Sequence, residues 1–168
     1  MYAWERDALD INTLGQIQRS VPTRMRIETG GRGRAGWWLS TLFGPDFWMH
    51  WRVGLLRPTL VGVTEQPVSP PEPLVLTLPT HLSQRFSQII EPMDYVAVCP
   101  AIVEEKALAF GAIGVTEEEM STGRIEPSER WVLVAPTDLT ERLGIGDGDV
   151  LQVRLLPASY RVRAPHKR

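Results

Sequence analysis

The sequence predicts one mainly β domain, a small β-barrel with short helices. Three observations carry that prediction. The chain has 14 Gly and 14 Pro among 168 residues, which favours short elements between tight turns over a few long helices. Strand-like runs recur along it, at 74–78, 95–99, 108–115, 131–134 and 150–155. Near the end, a strand, a one-turn helix, an Asp-Gly turn and a second strand follow one another closely, a unit that recurs in small β-barrels. The composition, 43 % apolar and 23 % charged, suits one folded core and excludes disorder or a fibrous repeat.

Composition also narrows function. A net charge of −2 excludes a globally basic nucleic-acid coat, so nucleic acid is not the expected partner. A single cysteine, Cys99, excludes an internal disulfide and a multi-thiolate metal site. No stretch approaches the roughly 18–20 apolar residues that span a bilayer, and the first ten residues lack a basic-then-apolar leader pattern. The expectation is a cytoplasmic protein without a membrane partner.

The elements can be justified in order. Trp4, Leu9, Ile11, Leu14 and Ile17 lie among charged residues at spacings that predict a helical extension over 1–22, which Pro22 closes. A barrel domain is expected over 23–157 and a basic tail over 158–168. Met25 and Ile27 alternate with Arg24, Arg26 and Glu28, the period of a strand. A glycine-rich loop follows, then a second strand at 37–39 and a short helix at 43–52. Residues 67–73 hold four prolines, which lack the N–H a ladder needs, and read as a surface connection. A strand at 74–78 leads to a helix at 80–90. In the last block, Asp138 is placed to cap a helix with Glu141 three residues later, Leu139 and Leu143 share a face, and Gly144 ends it.

Several constellations could carry chemistry. Gly31, Arg32, Gly33 and Arg34 combine backbone freedom with fixed positive charge, so this loop either cradles a polyphosphate or is a solvated hairpin. Between Arg19 and Arg57 lie seven arginines against Glu28 and Asp46, with four of the six tryptophans. That mixture suits a nucleotide or single-stranded nucleic acid, although Trp48 and Trp51, three apart, read as core. Glu104, Glu105, Glu117, Glu118, Glu119, Glu126 and Glu129 form an acidic stretch that could position a metal or take a proton. The triplet at 117–119 reads as solvated loop. Glu129 differs, because it directly precedes a buried-looking strand and is placed to meet a ligand at the barrel mouth. The three histidines match no metal or triad spacing.

Over roughly 25–156 these pieces resemble the archaeal-type CTP-dependent riboflavin kinase family, a six-stranded cradle-loop β-barrel. The resemblance rests on Gly31-Arg32-Gly33 before Trp37-Trp38-Leu39-Ser40, on Cys99-Pro100-Ala101-Ile102, on Gly111-Ala112-Ile113-Gly114-Val115, and on the block from Ala135-Pro136 through Asp147-Gly148-Asp149-Val150. It implies a CTP-dependent phosphotransferase that phosphorylates a hydroxyl of riboflavin or another small acceptor. Gly31, Arg32, Gly33 and Arg34 would hold the nucleotide, Thr59 would ligate Mg²⁺, and Glu129 would orient or deprotonate the acceptor. The family motif Gly-Thr-Leu-Asn corresponds to Pro58-Thr59-Leu60-Val61, so valine replaces the second Mg²⁺ ligand. Of two acidic positions before the Ala-Pro strand end, Glu129 matches the first and Val132 stands at the second. The alternative expectation is therefore a descendant of the same barrel that binds a ligand or a partner without catalysis.

Overall fold

A computed structural model of the chain describes residues 5, 21–28, 57–77, 95–135 and 137–157, with the backbone alone at 57–59. The elements are β1 (Thr23–Glu28), β2 (Arg57–Val68), β3 (Leu74–Thr77), β4 (Tyr95–Val103), β5 (Ala107–Val115), α1 (Glu117–Thr122), β6 (Ser128–Ala135), α2 (Leu139–Leu143) and β7 (Val150–Leu155). Alternation along β1 buries Met25 and Ile27 and exposes Arg24 and Arg26, as the period-two pattern requires. The strands pair antiparallel in the order β1-β2-β6-β5-β4-β7, and β7 returns to β1, closing a six-stranded barrel.

β3 lies outside that ring, and β4 accommodates it by dividing one edge. Its first half, Tyr95 to Val98, pairs with β3, and Ala101 to Val103 pair with β7. Pro100 falls at the changeover. Its carbonyl accepts the Leu156 N–H at 2.8 Å, so the N–H it lacks would have pointed into the interval where β3 has ended and β7 begins. A proline is tolerated mid-strand here because no partner strand asks for that donor.

Inward positions make the core: Met25, Ile27, Leu60, Ala97, Cys99, Ala101, Ala109, Trp131, Leu133, Leu151 and Val153 are all buried. Among the described residues Trp131 is the largest fully buried side chain, and its indole N–H donates to the Ser128 carbonyl at 3.0 Å. A methyl group on Gly111 would stand 3.1 Å from the Trp131 ring, so glycine and alanine on the facing strands make room for the indole. The opposite faces of β4 and β5 are buried as well, through Val96, Val98, Ile102, Leu108 and Phe110. Each such side chain contributes roughly 1.5–3 kcal/mol of transfer free energy.

Two sequence expectations are corrected. β2 is the longest of the described strands, and it runs through Pro67 to Val68, which pairs with Ser128. The connection is accordingly shorter than 67–73. The ladder tolerates Pro67 because β2 bulges there: it advances from Val63 to Val68 while β6 moves only from Arg130 to Ser128. The glutamate triplet at 117–119 is helix, not loop. Thr116 caps it by accepting from the Glu119 N–H at 3.2 Å, and the Glu119 carboxylate accepts from the Thr116 N–H at 3.2 Å. α2 matches its expectation, with Asp138 accepting from Thr140 and Glu141 and Gly144 left-handed at φ 62°. The strand at 37–39, the helices at 43–52 and 80–90 and the tail at 158–168 lie outside the described residues, as does 1–20 apart from Glu5. Among the described residues, no helix is long and apolar enough to cross a membrane.

Candidate functional site

The nucleotide loop expected at Gly31, Arg32, Gly33 and Arg34 lies outside the described residues, but its root does not. β1 ends at Glu28, whose register partner on β2 is Val61. Thr59 is two residues further along β2, between the pairs Arg57↔Ala135 and Leu60↔Leu133. The backbone thus brings the loop root and Thr59 to one end of the barrel. The turn at 146–149 shares that end: Gly148 N–H donates to the Ile27 carbonyl and Ile27 N–H to the Asp149 carbonyl, both at 2.8 Å.

Glu129 is elsewhere. It is the second residue of β6, four residues before Leu133, with an exposed side chain at the end of the face that carries Trp131. At ~3.3 Å per residue, its separation from the rung of Thr59 is roughly 13–20 Å along the ladder. The structure therefore does not bring Glu129 and Thr59 together. The buried Thr64 is the neighbour of Glu129 instead, its hydroxyl donating to the Gln66 carbonyl at 2.7 Å and lying 3.4 Å from the Glu129 carbonyl.

Register adds a fact that sequence comparison could not. Val61 and Val132 stand at two positions where the resembled family is polar, and they are direct cross-strand partners on β2 and β6. Both are buried, at 5 % and 3 % exposure. An opposed pair places its side chains ~4.5–5.5 Å apart, so this patch is apolar packing with no oxygen to offer. Mg²⁺ requires a near-octahedral set of oxygens. The residues standing at these positions do not fit the ion.

The acidic stretch is engaged in structure. Glu104 accepts the Gln152 N–H at 2.7 Å, Glu105 pairs with Arg154, and Glu117 accepts from the Tyr95 hydroxyl at 2.8 Å. Glu104 and Glu105 also carry positive φ, 53° and 57°, in the β4–β5 turn. These carboxylates tie the turn to β7 and α1 to β4. Among the described residues, no group of three or more His, Cys, Asp or Glu is placed to hold a metal. Cys99 is buried in the barrel, and desolvation pushes its thiol up to about 12.

Two cavities open on the described surface. One, of about 180 Å³, lies on the outer wall between Arg24, Arg26, Val63, Thr64, Glu65 and Val150. The other, of about 260 Å³, lies between the β4–β5 turn and the start of β7, with Leu143, Ile145 and Leu151 beneath Lys106 and Asp149. Sequence reasoning singled out neither. The arginines at 24 and 26 were legible as one face of a strand, but Glu65 and Val150 join them only through the register. No family model matches the chain, and no curated protein matches it in sequence.

Proposed function

We propose that this chain is a barrel of the riboflavin-kinase type that binds a nucleotide or a flavin-like phosphorylated ligand and does not transfer phosphate. The observation that carries this reading is the apolar cross-strand pair Val61–Val132 in place of two polar positions. A centre that moves a phosphoryl group depends on charge neutralisation at the transferring oxygens, and a buried valine pair provides none. Binding asks for less. The loop with Gly31, Arg32, Gly33 and Arg34 supplies N–H donors and guanidinium groups for phosphate, and its root is at the Thr59 end of the barrel. The distance of Glu129 from that end also favours binding over transfer. The ligand is a small molecule and the setting cytoplasmic.

Calorimetry with CTP, ATP, GTP, riboflavin and FMN, each with and without Mg²⁺, tests this directly. The expected result is saturable binding of a phosphorylated ligand with an affinity that Mg²⁺ leaves unchanged. In a parallel assay with labelled nucleotide and riboflavin, no phosphate moves. Transfer to riboflavin or any other acceptor, or no binding at millimolar concentration, overturns the reading.

A further inference from the structure

We infer that the outer-wall cavity on β1, β2 and β7 is a binding site for a phosphate dianion, lined by residues other than those at 31–34. Arg24 and Arg26 stand two apart on the exposed face of β1, so both guanidinium groups lie on the same side of the sheet. Arg26 is flanked across the strands by Val63 of β2 and Val150 of β7, its two register partners. Val150 is 48 % exposed, which leaves an apolar wall open to solvent beside the charge. Charge beside such a wall is less screened than charge in open water.

The local charges are not balanced. Glu28 is shared, 3.1 Å from Arg130 and 3.6 Å from Arg26, so its closer partner is the arginine outside the cavity. Arg24 has no ion-pair partner among the described residues. Glu65 is the carboxylate on the rim, and the Thr64 hydroxyl is spent on the Gln66 carbonyl. Two guanidinium groups thus line the cavity against one carboxylate, on a chain whose net charge is −2. Guanidinium groups recognise phosphate through paired N–H donors. The size of the cavity sets the ligand: about 180 Å³ is room for about six waters at ~30 Å³ each, below the ~300 Å³ of ordinary small-molecule pockets. It has room for a phosphate head group.

The test titrates the full chain with inorganic phosphate and, separately, with glycerol phosphate, following the Val63 and Val150 methyl signals by NMR. Saturable shifts confined to those methyls are expected in the millimolar range, and acetate at equal ionic strength does not reproduce them. Arg24→Gln and Arg26→Gln each weaken binding about tenfold, and Glu65→Gln tightens it. These side chains are exposed, so thermal melting of each variant matches that of the parent. Preference for glycerol phosphate identifies a monoester as the ligand, and equal affinity identifies the free ion. Unsaturated shifts, equal response to acetate, or unchanged binding in both arginine variants overturns the inference. Nucleotide binding is independent of these variants, so its failure is read separately.

Discussion

Replacing Glu5 by alanine tests a buried long-range tie. Glu5 is fully buried, although it lies 103 positions from Leu108 and 137 from Arg142. One carboxylate oxygen accepts the Leu108 N–H of β5 at 2.5 Å, and the other pairs with the Arg142 guanidinium at the end of α2. Arg142 in turn reaches the Lys106 carbonyl at 2.6 Å and the Thr137 hydroxyl at 3.3 Å. Glu5→Ala leaves a buried N–H without this acceptor and a largely buried cation without this counter-charge. Losing one partner of a buried pair costs about 3–5 kcal/mol, a large part of the roughly 5–15 kcal/mol by which a domain is stable. For a chain of this length, that lowers the melting temperature by about 6–20 °C. Urea unfolding and calorimetry of Glu5→Ala, Glu5→Gln and the double change Glu5→Leu with Arg142→Met measure it. Glu5→Gln retains an oxygen for Leu108 and is expected to lose less, and the double change recovers part of the loss because no lone charge stays buried. A melting temperature for Glu5→Ala within about 2 °C of the parent would refute the reasoning.

The other predictions concern single positions. Gly62→Ala places a methyl 2.8 Å from Met25 Sδ and 3.1 Å from its Cβ, and Met25 is fully buried, so the change destabilises by about 1–3 kcal/mol; Met25→Ala on the same background should relieve the clash. Gly144→Ala meets nothing within 4 Å, so its loss of about 1–2 kcal/mol in urea melts reflects backbone alone, at φ 62°. The Cys99 thiol, raised by burial from 9.0 to about 12, keeps its proton in the native state after the unfolded chain has released it. Stability from this group is therefore complete below about pH 9 and falls toward pH 12 by up to ~1.4 kcal/mol per pH unit. Urea midpoints of parent and Cys99→Val should diverge only on that alkaline side. At pH 8 a thiol reagent should label Cys99 no faster than the protein unfolds.

What could be read from the sequence, and what could not, divides along physical lines. β1 and α2 were legible because their signals are local, an alternation in one and caps at both ends in the other. β2 was not, since Pro58, Gly62 and Pro67 interrupt its period and two register shifts let it absorb them. α1 was hidden by its own charge: three consecutive glutamates look like a solvated run, although Thr116 and Glu119 had the spacing of a capping box. Val61 and Val132 could each be seen as departures from a resembled pattern. That they are one opposed pair depends on the registration of β2 against β6, which no local signal encodes. The Glu5–Arg142 pair has no sequence signature at all, because nothing in either neighbourhood anticipates the other.

The divided edge of β4 makes the molecule unequal in its cohesion. Ring closure uses only the far half of that edge, so β3 can detach and rejoin without opening the cylinder. Amide protons bonded between β3 and Tyr95 to Val98 should then exchange through a local fluctuation, while those joining Ala101–Val103 to β7 wait for global unfolding. The proline at the changeover marks the seam between the two stretches of that edge.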